Sequence, residues 1–112
     1  MKKKKFYVLN WDFNGDKIEH YDVLPYFRER YKYKVKNSKK YPNEAYWKVP
    51  KTLDEFKTFV ENESHYQFWS RCEYEMIIHG WPVKKNDYKI DIHEQVMMNL
   101  DTIAEILFNE LN

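Results

Sequence analysis

The feature that most constrains the fold is the segment from Phe68 to Trp81, FWSRCEYEMIIHGW. Mostly apolar positions alternate there with positions that carry two carboxylates and an imidazole: Cys72, Tyr74, Met76 and Ile78 against Glu73, Glu75, Ile77 and His79. Successive side chains of a strand point to opposite faces. The alternation therefore predicts a strand over Arg71–His79, with one apolar face and one polar face.

A β-hairpin is predicted near the amino terminus. Alternating apolar residues over 6–13 are followed by Asn14-Gly15. This dipeptide is the strongest two-residue hairpin signal, because both central positions of a type I′ turn need a positive φ. The turn makes residues 17–21 the returning strand and places Trp11 opposite Ile18.

A basic helix is predicted after the hairpin. Asp22 can cap it, and it begins near Val23 with Pro25 in its first turn. Its apolar stripe has helical spacing and consists of Leu24, Phe27, Tyr31 and Val35. Residues 37–50 are expected to form a loop that packs on the domain through its aromatic side chains.

Two capping boxes mark further helix starts, Thr52–Glu55 and Asp91–Glu94. In such a box the first and last side chains satisfy backbone amides that the helix leaves without partners. The first helix is expected to run to about Ser64, with a bent continuation toward Phe68. The second is expected over residues 92–111, and residues 83–90 before it are expected to be a polar connection.

These elements predict an α+β domain of order β-β-α-α-β-α. Three antiparallel strands would be covered by three helices on one face and exposed to water on the other. A chain of 112 residues suits a single domain. Residues 1–5 are expected to form a flexible basic tail.

Composition limits the function classes. Because the chain has only two glycines, it contains no glycine-rich phosphate-binding loop. One cysteine cannot form an internal disulfide, which fits a reducing compartment, and no apolar run is long enough for a membrane span. The expectation is a cytoplasmic protein without a membrane partner.

Positive charge is concentrated in the first part of the chain. Residues 1–40 hold 12 Lys/Arg against 5 Asp/Glu, and residues 41–112 hold 7 against 13. The predicted basic helix interleaves cations with tyrosines, a combination that suits phosphates and stacked bases. The candidate phosphate or nucleic-acid site is Arg28, Arg30, Lys32, Lys34 and Lys36, with Lys39, Lys40, Tyr33 and Tyr41 continuing the pattern. The alternative is an ordinary solvated helix face.

Four aromatic residues lie in predicted loops and not in predicted helices or strands. Tyr and Trp are favoured anchors at protein interfaces. The candidate protein interface is Tyr46, Trp47, Trp81 and Tyr88. A host protein or a second copy of the chain is the expected kind of partner.

Carboxylates on the polar face of the predicted sheet are a third candidate site. Together with Asn10 and Glu19, the hairpin and third strand would gather four ligands for Mg²⁺ or Mn²⁺: Asp12, Glu73, Glu75 and His79. Solubility alone would also place charges there. A zinc site from Cys72, His79, Asp91 and His93 is a weaker alternative, because its spacing matches no zinc pattern.

Four segments also resemble a known group of proteins: FYVLNWDFN, YDVLPYFRERY, FWSRCEYEMIIHGWP and KIDIHEQVMMNLDTIAEIL. They are similar to small uncharacterised proteins encoded by phages and mobile elements of Firmicutes. The resemblance implies a mobile-element setting, in which short proteins often act on host defence by binding, and it transfers no site residues.

Three functions follow as expectations. The first is a non-enzymatic binding protein of phage type, for example an anti-defence inhibitor, which occupies a host protein or a phosphate-bearing ligand and needs no cofactor. The alternative is a Mg²⁺- or Mn²⁺-dependent enzyme acting on phosphodiesters or nucleotides. A further alternative is a sequence-tolerant nucleic-acid binder.

Overall fold

The structure is a computed structural model that describes residues 4–11, 18–70 and 88–112. These residues form strands β1 (Tyr7–Trp11) and β2 (Ile18–Asp22), helices α1 (Leu24–Lys40), α2 (Leu53–Ser64), α3 (Tyr88–Met98) and α4 (Leu100–Leu111), a 3₁₀ turn (Ala45–Trp47) and a π-helical turn (His65–Ser70). Among them, no helix is long and apolar enough to cross a membrane.

The predicted fold class, a three-stranded sheet with three helices on one face, is wrong. The described residues are mostly helical, and their sheet is a two-stranded antiparallel one. The predicted third strand, Arg71–His79, lies outside the described residues. Helix was underestimated at three places, residues 37–40, 69–70 and 88–91, where helical structure extends beyond the predicted boundaries.

The hairpin register is confirmed. Trp11 pairs with Ile18 and Asn10 with Glu19, as the predicted two-residue turn requires, although the turn itself lies outside the described residues. The expectation of which sheet face is exposed to water is wrong. Val8, which the alternation assigns to the predicted exposed face, is buried in the core, whereas Tyr7, assigned to the other face, is half exposed. Both faces carry large apolar side chains, so alternation alone could not decide which one the helices cover.

The predicted cap of α1 is wrong by one residue, because the N-cap position is occupied by Val23 and not by Asp22. One carboxylate oxygen of Asp22 accepts hydrogen bonds from the backbone N–H groups of Leu24 and Phe6. This side chain therefore fixes both the start of the helix and the start of β1. The helix does not end at Asn37, because the Asn37 side-chain amide donates to the carbonyl of Tyr33 and the backbone continues helically to Lys40.

The Thr52 capping box is confirmed in both directions. The Thr52 hydroxyl accepts from the N–H of Glu55 at 3.1 Å, and the Glu55 carboxylate accepts from the N–H of Thr52 at 3.0 Å. The predicted continuation of α2 is also confirmed, since the helix passes into the π-helical turn at His65. The second capping box is wrong, because Asp91 lies inside α3. The single predicted last helix is instead two helices that meet at Asn99.

The core lies where α1, α2 and α4 converge. Phe27, Phe56, Val60, Ile103 and Leu107 are fully or almost fully buried there, and each buried side chain of this size contributes about 1.5–3 kcal/mol. The hairpin is attached to α3 by a side chain that imitates a neighbouring strand. The amide of Gln95 accepts from the N–H of Leu9 and donates to its carbonyl, both at 2.9 Å.

Candidate functional site

The 3₁₀ turn brings two aromatic side chains onto the second half of α1. The ring of Trp47 lies edge-to-face against Tyr33, with centroids 5.2 Å apart, and against Tyr46, at 4.7 Å. Contacts of this geometry are favourable beyond the area that they bury. The three rings therefore hold one another in place, although Tyr33 and Tyr46 remain exposed to solvent.

Cations lie close to these exposed rings. The Arg30 guanidinium is 5.0 Å from the centroid of Tyr33, and the Lys34 ammonium is 4.5 Å from that of Tyr46. Lys40 is 5.5 Å from the ring of Tyr41, the residue that follows α1. We call the outward-facing part of this arrangement the aromatic–basic face and define it as Tyr33, Tyr41, Tyr46, Trp47, Lys36 and Lys40.

A buried carboxylate, that of Glu63, pairs with the two cations that lie next to the rings of Tyr33 and Tyr46. Glu63, in the last turn of α2, accepts a hydrogen bond from Arg30 Nε at 2.9 Å, and Lys34 Nζ lies 4.0 Å from its other oxygen. Both cations also reach the 3₁₀ turn: Lys34 donates to the carbonyl of Tyr46 at 2.6 Å, and Arg30 donates to the Tyr46 hydroxyl at 3.3 Å. This Glu63 network, Glu63 with Arg30 and Lys34, therefore links α1, α2 and the 3₁₀ turn.

Burial changes the pKa values of the groups in and beside the network. For Arg30, burial is the largest single effect and lowers the pKa, but the charge and hydrogen bond of Glu63, together with Tyr26 and Tyr46, outweigh it, so the pKa of Arg30 is raised. Burial lowers the pKa of Lys34; Glu63 opposes this shift and Arg30 adds to it. The Tyr26 hydroxyl donates to the Glu63 carbonyl, and burial, followed by the Glu63 charge, raises the pKa of Tyr26. Arg30 therefore holds the permanent positive charge against Glu63.

A cleft of about 380 Å³ opens beside the network, between the 3₁₀ turn and α2. Its lining includes both signs of charge, but much of that charge is already paired. Glu63 is engaged by the network, and Glu55 is engaged by the capping box and by Lys48 at 3.4 Å. Hydrogen bonds from the N–H groups of Thr52 and Lys51 also lower the pKa of Glu55. The cleft is thus bordered by satisfied structural charges.

The five cations predicted to bind phosphate fall into two groups. Arg28 is buried, where it pairs with Glu110 at 2.8 Å and donates to the carbonyl of Lys4. Arg30 and Lys34 belong to the Glu63 network. Lys32 and Lys36 are exposed, and Lys32 lies 3.7 Å from Glu29 one turn earlier on the helix. Sequence alone could not separate these groups, because Glu63 and Glu110 approach α1 from distant parts of the chain.

The predicted protein interface is described only in part. Tyr46 and Trp47 lie together on the aromatic–basic face. Trp81 lies outside the described residues, and Tyr88 begins α3 in a segment whose side chains are not described. The predicted basic helix and the predicted loop aromatics thus meet at Tyr46 and Trp47.

The predicted metal ligands Asp12, Glu73, Glu75 and His79 lie outside the described residues, as does Cys72 of the zinc alternative. Within the part of the chain that the structure describes, no group of three or more His, Cys, Asp or Glu is placed to hold a metal ion. These sites stay predictions.

His93 packs against the end of α2. Its Nδ1 and the Ser64 hydroxyl share a hydrogen bond of 3.0 Å, and its ring lies 5.6 Å from that of His65. Burial, and next the charge of His65, lower the pKa of His93. Because Ser64 is fully buried, a substrate has no access to its hydroxyl. The pair therefore joins two helices and is not a nucleophile with its base.

Comparison with known proteins adds no assignment to this face. No protein-family model matches the sequence, and no curated protein or solved structure is significantly similar to it.

Proposed function

We propose that the protein is a small non-enzymatic binding protein that captures a phosphate-bearing partner on its aromatic–basic face. In the phage setting that its sequence resemblance implies, such capture would inhibit a component of host defence. The observation that carries the proposal is that exposed lysines and exposed aromatic rings share one face of α1 and the 3₁₀ turn.

The lysines on the outer side of α1 are suited to a polyanion. A helix rises about 1.5 Å per residue, so Lys32, Lys36 and Lys40 follow one another at intervals of about 6 Å. Lys39 is exposed as well, and Glu29 is the exposed carboxylate on the same helix. The surplus of positive charge on this surface favours anions and attracts them at long range.

The buried cations of α1 strengthen this interpretation. Arg28 and the two cations of the Glu63 network neutralise carboxylates of α4 and α2. These carboxylates consequently do not compete for the exposed lysines. The outer side of the helix keeps its charge for a partner.

The proposal is tested by calorimetry with inorganic tripolyphosphate as the probe. Lys36→Ala with Lys40→Ala should weaken binding by about fivefold, as expected for two exposed ion pairs. The matched control, Lys5→Ala with Lys57→Ala, removes the same charge away from the face and should leave binding unchanged. Equal weakening by both pairs, or no tripolyphosphate binding at low salt, would contradict the proposal.

A further inference from the structure

We infer that the aromatic–basic face binds single-stranded nucleic acid with little preference for sequence. The inference rests on the proposed function and specifies its partner. Sites for single strands combine a cationic track for the backbone with aromatic rings on which bases stack. Both parts are present on this face.

The tyrosine rings of the face expose surface on which a base can stack, although each has a cation over one side of the ring. Tyr33, Tyr41 and Tyr46 expose 45%, 41% and 55% of their surface. Trp47 holds Tyr33 and Tyr46 by edge-to-face contacts, so their orientation is already restricted before a ligand arrives. A ring ordered in advance loses less conformational entropy on binding.

The dimensions suit a short run of nucleotides. Tyr33 and Tyr41 are eight residues apart along α1 and its end, which corresponds to about 12 Å. At a rise of about 3.4 Å per nucleotide this distance spans roughly three to four stacked bases. Lys36 and Lys40 follow Tyr33 by three and seven positions and therefore lie on the same side of the helix.

The choice of cations favours nucleic acid over an acidic protein. The exposed cations of this surface are the lysines 32, 36, 39 and 40, and lysine is depleted in protein–protein interfaces. The aromatic rings favour a single strand over a duplex, because the faces of paired bases are already stacked on one another. The rings can bind only bases whose faces are free.

The test is fluorescence anisotropy with a labelled 15-nucleotide oligothymidine, performed on the full chain. Tyr33→Ala should weaken binding by about tenfold, the typical cost of one lost base–aromatic stack. Tyr33→Phe keeps the ring and should bind like the original protein. Tyr66→Ala, which removes an exposed ring from the π-helical turn (60% exposed, against 45% for Tyr33), is the control and should have no effect.

The salt dependence tests the cationic part separately. Replacing both Lys36 and Lys40 by Ala should reduce the slope of log affinity against log salt by about 1.4, since each phosphate contact on a single strand contributes about 0.7. The control pair Lys5→Ala with Lys57→Ala should leave the slope unchanged. Circular dichroism of every variant shows whether the fold is intact.

Four outcomes would overturn the inference. They are equal binding of a 15-residue polyglutamate, equal binding of a duplex of the same length, oligothymidine binding that Tyr33→Ala does not weaken, and an unchanged salt slope in the face variant. If tripolyphosphate still binds through Lys36 and Lys40, the proposed function survives without this inference. If tripolyphosphate also fails, both are wrong.

Discussion

Replacing Glu63 by Gln should destabilise the fold strongly, because it leaves two partly buried cations without their anion. The side chains of Glu63, Arg30 and Lys34 are only 5%, 22% and 11% exposed. Removing one partner of a buried ion pair typically costs about 3–5 kcal/mol. Here the amide of Gln can still accept from Arg30, and Lys34 keeps its hydrogen bond to the carbonyl of Tyr46. We therefore expect a loss of about 2–3 kcal/mol in the free energy of unfolding.

Urea unfolding monitored by circular dichroism measures this loss. With a slope of about 1.5 kcal/mol/M, the urea midpoint should fall by about 1.3–2 M. Glu61→Gln, an exposed change on the same helix, should remain within about 0.5 kcal/mol of the original protein. Lys34→Met leaves the Glu63–Arg30 ion pair in place and should lower the free energy of unfolding by only about 1 kcal/mol.

The double variant carrying Glu63→Gln and Lys34→Met shows whether the destabilisation comes from a broken ion-pair network or from lost packing alone. It removes one of the two stranded cations, so it should be less destabilised than the sum of the single changes. Additive losses, or a Glu63→Gln cost equal to that of Glu61→Gln, would refute the assignment of a buried network to these residues.

Three further predictions concern helix starts, protons and the hairpin. Thr52→Ala should lower the free energy of unfolding by about 1 kcal/mol through loss of the capping box, whereas Thr58→Ala inside the same helix should be nearly neutral in urea melts. Because the pKa of His93 lies below its ordinary value of 6.5, the folded protein binds this proton less readily than the unfolded chain, and stability should fall as the pH drops through and below that value. Urea midpoints at about pH 7.5 and pH 5.5 should show that His93→Gln reduces this loss and that the exposed His20→Gln does not. Gln95→Ala should cost about 1 kcal/mol and accelerate amide hydrogen exchange in β1 but not in α2; unchanged exchange in β1 would contradict the strand-like role of the Gln95 amide.

Local chemistry made part of the fold predictable from sequence. The register of the hairpin was predictable from the Asn14-Gly15 dipeptide, and the start of α2 from two side chains within four residues. The end of α1 is local as well, since the Asn37 side chain bonds to Tyr33 only four residues earlier, but asparagine is a weak helix former and gave no helix signal there. The buried face of the sheet, in contrast, depends on a tertiary contact, the packing of α3 on β1, which buries Val8. No local pattern contains that contact.

The two parts of the candidate site were predictable from the sequence, but the contact between them was not. The basic helix and the aromatic loop were identified separately, and they meet only because the 3₁₀ turn crosses α1 at Tyr46 and Trp47. Glu63 was missed, although a signal for it was present. It follows Phe56 by seven residues and Phe59 by four, so it lies in phase with the apolar stripe of α2. A carboxylate at a core position needs a buried partner, and the basic helix is the richest source of cations in the chain, although Lys57 and Arg71 lie closer to Glu63 in sequence.

The position of each cation around α1 decides whether it serves folding or binding. Arg28, Arg30 and Lys34 turn toward neighbouring helices, where desolvation makes an unpaired charge costly and an existing partner necessary. Lys36 and Lys40 are exposed to solvent. An ion pair there contributes little to the stability of the fold, so these lysines can contact a ligand at little cost to folding. Charge removal on the outer side should therefore change affinity and not the urea midpoint. Charge removal on the inner side should lower the midpoint first and weaken binding only as far as the 3₁₀ turn loosens from Arg30 and Lys34.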